Sequence, residues 1–95
     1  MFIRQSLIFR TLADKISRKH HVREDEVDEI FRSRPHYRKI ENGDIEGEDL
    51  YGAYGQTNAG RYLSVFFIYK LNHDAFVISA RDNMNKNERR QYGKK

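Results

Sequence analysis

The chain has 95 residues, which is room for one domain and one core. Cysteine is absent, so disulfides, cysteine-held zinc, iron–sulfur clusters and thiol nucleophiles are excluded. Charged residues make up 34% and hydrophobic ones 38%, and the 13% aromatics in clustered runs argue for a folded core rather than a disordered chain. The formal charge is +4, and its placement is lopsided. Residues 1–80 hold 12 basic and 12 acidic side chains, whereas Arg81 to Lys95 hold six basic and two acidic ones. A basic end on a small domain points to a polyanion or an acidic protein partner, or to no more than a solvated tail.

In chain order, Phe2 to Phe9 carries Ile3, Leu7 and Ile8 and reads as a weak first strand. It has no apolar core or small-residue cleavage site of a signal peptide, so the cytoplasm is the expected compartment. Thr11-Leu12-Ala13-Asp14 has capping-box spacing and should open a short helix to about Lys19, burying Leu12 and Ile16. A second helix is marked by Val27, Ile30 and Phe31, with Glu24, Asp25 and Glu26 in its first turn and Pro35 beyond its end. Its acidic run, Glu24 to Glu29, lacks calcium-loop spacing and reads as a solvated face.

After Pro35 the period changes. His36 to Glu41 is an expected edge strand, and Asn42-Gly43 a turn. Asp49 to Thr57 reads as a strand weakened or bulged by Gly52 and Gly55. Arg61 to Leu71 is apolar on both faces and therefore central. Asn72-His73-Asp74 closes a hairpin into the buried strand Ala75 to Ala80, and a polar helix, Met84 to Tyr92, should follow. The expected class is α+β: an antiparallel three- to four-stranded sheet with two N-terminal helices and one C-terminal helix.

Short hairpins bring the start of one strand beside the finish of the next. Arg61 and Arg81 should therefore lie at one end of the sheet, either as cations for a shared anion or as strand-end arginines paired with acids. His20 and His21 can act as base or acid, or form no more than a surface pair, and His36 and His73 read as structural or exposed. Tyr54, Tyr62 and Tyr92 can stack bases or simply pack.

Five stretches, in order, carry a resemblance: Lys19-His20 with Val22 before an acidic helix bearing Glu26-Val27 and Glu29; Tyr54-Gly55-Gln56-Thr57; Gly60-Arg61; Ser79-Ala80-Arg81-Asp82; and Glu88-Arg89-Arg90 with Tyr92. The chain resembles the BrnT family of bacterial type II toxin–antitoxin toxins over roughly Ile8 to Tyr92. His21 stands where that family usually has glycine, Arg23 where it commonly has serine or threonine, and Asn42 to Asp49 is acidic.

The resemblance implies a RelE-like fold and a metal-independent endoribonuclease without a cofactor, which cleaves RNA and inhibits translation. The implied partner is a small antitoxin, BrnA-like and often ribbon-helix-helix, which neutralises the toxin and carries the contact with operator DNA. Metal-free cleavage needs a base for the 2′-hydroxyl, cations for the phosphorane and an acid for the leaving oxygen. Arg61 and Arg81 suit the cationic task. His20 and Glu88 are the candidate proton carriers, and Glu88 can equally pair with Arg81 to position it. Lys19, Arg89, Arg90, Tyr62 and Tyr92 are the expected RNA contacts. The alternatives are a non-catalytic module of this fold, acting only as co-repressor with its partner, and a stand-alone nucleic-acid-binding domain.

Overall fold

The computed structural model describes residues 1–82. They form β1 (Gln5–Leu7), α1 (Arg10–His20), α2 (Glu24–Arg32), β2 (His36–Glu41), β3 (Asp49–Gln56), β4 (Tyr62–Tyr69) and β5 (Asp74–Arg81). The five strands make one sheet in the order β1-β5-β4-β3-β2. The fold is α+β. From β2 to β5 the chain meanders through antiparallel neighbours, as short turns require. β1 departs from the expected antiparallel sheet, because it pairs parallel to β5. The two helices carry the chain from β1 to the far edge of the sheet, and the three hairpin steps of the meander return it to lie beside β1. The sheet is thus five-stranded and mixed rather than antiparallel with three or four strands, and both helices follow the first strand. The expected third helix, Met84 to Tyr92, lies outside the described residues. No described helix is long and apolar enough to cross a membrane.

α1 begins two residues earlier than its sequence suggests. Phe9 is the N-cap, without a side-chain hydrogen bond, and Thr11 lies within the helix. Arg18, Lys19 and His20 occupy its last turn, where cations offset the helix dipole. It ends on His21, whose φ of 54° is left-handed. The His21 N–H donates to Ser17 O, which is the αL close, and the Val22 N–H donates to Ile16 O. In α2 the carboxylate of Glu26 accepts from the Arg23 backbone N–H at 3.0 Å. That contact supplies half of a capping box with no hydroxyl at the cap. α2 stops at Arg32, and Arg34 turns at φ 55° ahead of Pro35.

One face of the sheet meets the helices. Ala53, Leu63, Val65, Phe67, Ala75, Val77 and Ala80 are buried there with Ile16, Val22, Val27 and Ile30. Phe67 is the hub, with the rings of Phe31, Tyr51 and Tyr37 within 5.3–6.1 Å of its centroid. Burial pushes the Tyr37 hydroxyl up to about 12. The glycines of β3 do not bulge it, since β3 and β4 pair without a break. They permit close approach instead. A Cβ on Gly55 would meet Ser33 Oγ at 3.1 Å, where the end of α2 crosses the sheet. A Cβ on Gly52 would lie 2.7 Å from the Tyr54 hydroxyl. The irregularities fall in β2, between Lys39 and Glu41, and in β5, where Ile78 is the extra residue opposite Phe66 and Phe67. Asn42-Gly43 does not make a tight two-residue hairpin. The β2–β3 connection runs over residues 42–48, and Asp49 Oδ1 accepts from the Gly43 N–H at 2.8 Å.

A three-residue edge strand needs more than its ladder to stay docked. Asp74, 5% exposed, supplies it. Its Oδ1 accepts from Arg4 Nε at 2.8 Å and its Oδ2 from Arg4 Nη2 at 3.0 Å, while Gln5 Nε2 and Asn72 Nδ2 each lie 3.3 Å from Oδ2. The Arg4 hydrogen bonds hold this carboxyl below the ordinary aspartate value of 3.8. Its stabilising contribution is therefore whole above that value and is lost as pH falls through the lower folded one. We expect Asp74→Asn to speed amide exchange at Gln5, Ser6 and Leu7 at neutral pH. We also expect the variant's stability to fall less steeply than the wild type's between roughly pH 5 and pH 2 in urea titrations. Parallel pH profiles would refute this account of β1.

Candidate functional site around Arg61

The β3–β4 turn is built to present Arg61. The Thr57 N–H donates to Arg61 O and the Gly60 N–H to Thr57 O, both at 2.9 Å. Gly60 has φ 92°, a conformation that disfavours any side chain. The Thr57 hydroxyl accepts from the Arg61 N–H at 3.1 Å, and Gln56 Nε2 donates to Gly60 O at 3.1 Å. Asn58 N–H donates across to Glu29 Oε1 at 2.9 Å, which ties the turn to α2.

The Arg61 guanidinium then joins three elements. Its Nη1 lies 2.8 and 2.9 Å from the two carboxylate oxygens of Glu26 and 2.8 Å from the His21 carbonyl. Its Nη2 donates to Asp82 Oδ2 at 2.9 Å and reaches the His20 carbonyl at 3.5 Å. One side chain thus caps the C-terminus of α1, pairs with the first turn of α2 and holds the exit of β5. Glu26 is 3% exposed, so the acidic run is not simply a solvated face. A carboxylate this buried needs a cation and full hydrogen bonding, and both are present. Three of the other four acids are also engaged: Asp25 with Arg23 at 3.0 Å, Asp28 with the Ser6 hydroxyl at 2.7 Å, and Glu29 with Asn58.

Arg61 and Arg81 do lie at the same end of the sheet, but their side chains take opposite faces. Arg61 reaches toward the helices. Arg81 pairs with Ser64 in the β4–β5 register, and its guanidinium carbon sits 5.4 Å from the centroid of Phe66. Phe66 lies between the core residues Val65 and Phe67, hence on the face away from the helices. The two arginines therefore do not share one anion in this arrangement. Arg61 is engaged by two carboxylates.

His20 is half-buried and Lys19 exposed, both in the last turn of α1 beside the Arg61 network. Tyr62 is half-buried at the start of β4, opposite Gln56. Tyr54 is 3% exposed, set edge-on to Phe66 and stacked with His36 at 6.4 Å. His73 occupies the β4–β5 turn at φ 72°, with its Nδ1 2.6 Å from the Tyr69 hydroxyl. Glu88, Arg89, Arg90 and Tyr92 lie outside the described residues. Sequence reasoning missed the partnership of Glu26, Thr57 and Asp82 with Arg61. One signal was available for Glu26, which stands at the third helical position, where a carboxylate can reach back to the cap. No protein-family model matches the chain, and no curated protein matches it.

Two outcomes follow from this geometry. Arg61→Ala strands a buried carboxylate and should cost on the order of 3 kcal/mol in urea unfolding. In a Glu26→Gln background the same change should cost clearly less, and equal costs in both backgrounds would dissolve the pair. His21→Gly relieves a left-handed non-glycine residue and should stabilise the fold by about 1 kcal/mol, read in the same titration.

Proposed function

We propose that the protein is a BrnT-like, RelE-like toxin of a type II toxin–antitoxin system, a metal-independent endoribonuclease acting in the cytoplasm. The observation that carries this reading is the convergence of the resembling stretches. Four of the five have residues among those described. His20 from the first, Glu26 from the acidic helix, Thr57, Gly60 and Arg61 from the turn, and Asp82 from the end of β5 form one hydrogen-bonded corner. Residues so distant in sequence meet there, Glu26, Thr57, Arg61 and Asp82 through side chains and His20 and Gly60 through the main chain. The parallel seating of β1 beside β5, with two helices between β1 and the meander, is compatible with a RelE-like plan.

The roles follow from placement. Arg61 is a positioning residue, since its contacts are with this chain's own carboxylates and carbonyls. Arg81 is the residue that meets the phosphate and stabilises the charge that develops on it. His20 beside the network is the proton carrier, with Glu88 as the other candidate. Lys19, Tyr62, Arg89, Arg90 and Tyr92 are the proposed RNA contacts. The partner is an antitoxin that covers the basic surface and carries the operator contact. One observation favours the non-catalytic co-repressor as a second reading: Arg61 is held by two carboxylates, an arrangement suited to architecture as much as to catalysis.

Purified protein incubated with RNA separates the two. Cleavage that resists EDTA and falls about 10²–10³-fold in Arg81→Ala, with unfolding unchanged, is the expected result. His20→Ala should lower the rate more than His21→Ala. Absence of cleavage combined with tight binding to the antitoxin encoded beside it would establish the co-repressor.

A further inference from the structure

The helix layer does not cover all of its side of the sheet. Phe31 of α2 lies over Phe67, but the same face continues past Phe67 with Tyr51, Tyr69 and Asp49. Directly paired residues share a face, and Tyr51 pairs with Phe67 and Asp49 with Tyr69. A cavity of about 300 Å³ is lined by Tyr51, Tyr69 and Asp49 together with Glu46, Leu71 and His73, and by no described helix residue. Glu46, Leu71 and His73 are exposed, Leu71 to 68%, and the two tyrosines are half-buried.

Two aromatic rings make a corner of this cavity. The centroids of Tyr51 and Tyr69 are 5.8 Å apart and their planes cross at 74°. Both rings are held in place. Tyr51 stacks on Phe67 at 5.9 Å, and the Tyr69 hydroxyl donates to Phe2 O at 2.6 Å and lies 2.6 Å from His73 Nδ1. The rim is fixed as well, since a Cβ on Gly47 would lie 2.7 Å from Leu71 Cγ. Charge at this end of the sheet is negative: residues 41–49 hold five acids and no base. Asp49 pairs with Lys39 and Glu48 with Lys70, both at 3.0 Å. The Lys70 ammonium sits 6.0 Å from the centroid of Phe76, which pairs with Ile68 on the opposite face of the sheet. Glu46 has no hydrogen-bond or ion-pair partner among the described residues.

We infer that this corner is a binding site for an organic cation with a methylated ammonium head. Tyrosine ring faces carry negative potential and attract a diffuse, weakly hydrated cation. Glu46 adds a carboxylate without a competing cation, and Leu71 offers apolar surface to the methyl groups and the attached chain. A bare metal ion is poorly served, because it needs several oxygen or nitrogen ligands at once and the described residues hold no group of three such side chains placed for one. An anion is repelled by the five acids. Nothing in this site depends on the cleavage of RNA.

The test is an NMR titration of amide shifts in the full chain with choline chloride, at constant ionic strength made up with sodium chloride. Saturable shifts should appear at Glu46, Tyr51, Tyr69 and Leu71 and be absent with sodium alone. Ethanolamine, whose primary ammonium is compact and strongly hydrated, should bind at least about threefold more weakly. Tyr51→Phe keeps the ring and should keep the affinity, whereas Tyr51→Leu should weaken it about tenfold. Glu46→Gln should weaken it about threefold with Tm unchanged, and Glu24→Gln, an exposed acid at the start of α2, should change nothing. Acetylated, amidated trimethyl-lysine in place of choline separates a modified side chain from a free headgroup; the tighter of the two names the source, and either supports the site. The site is overturned if choline gives no saturable shifts, if ethanolamine binds equally well, or if folded Tyr51→Leu and Glu46→Gln bind choline like the wild type. Where Tyr51→Leu does not fold, the Glu46→Gln and ethanolamine titrations decide.

Discussion

A single ion pair, Arg61 with Glu26, sets the relation between the helical layer and the sheet. Helix ends leave carbonyls and N–H groups without partners, and a buried carboxylate is costly unless it is paired. The Arg61 fork answers both demands at one point. It bonds the carbonyls that end α1, the carboxylate that opens α2 and the acid just beyond β5. Its backbone is fixed in turn by Thr57 and Gly60. A lysine could not substitute, because a point charge lacks the planar fork that reaches several acceptors at once.

That junction also explains the division of labour between the two faces of the sheet. The helix face is closed by apolar packing around Phe67 and by the glycine at position 55 that lets α2 approach. The other face keeps polar and aromatic groups in register across four strands. Arg61 is directed to the first face and Arg81 to the second. The acidic β2–β3 connection occupies the other end of the sheet, where Glu48 pairs with Lys70 and Asp49 with Lys39.

Much of the architecture was legible from pattern. Helix periodicity located α2, Pro35 its limit, and alternation with turn residues the meander from β2 to β5. These features arise from interactions between near neighbours, so they leave a local signature. β1 left almost none. Three residues show no usable period, and the strand depends on Arg4 reaching Asp74 some seventy positions away. The parallel pairing was hidden for the same reason. The strand glycines showed that something unusual happens in β3, but not whether a bulge or a close approach requires them, because that depends on what lies above.

For the site, the residue types and the common end of the sheet were readable, since hairpin geometry alone brings Arg61 near the end of β5. The faces were not. A turn residue such as Arg61 lies outside strand alternation, and its direction is decided by the acceptors it finds. Glu26 looked like one of five exposed acids until the packing of Val27 and Ile30 carried it inward. His21 looked like a titratable group, whereas its main-chain role is to close α1 in a left-handed turn. By itself, then, the sequence determined the elements, their order and the chemical types available, because these rest on local sterics and hydrophobic period. Only the tertiary structure decided which charges were buried together, which strand ran parallel and which face of the sheet each arginine took. Those depend on contacts between residues far apart in the chain, whose partners no local pattern specifies.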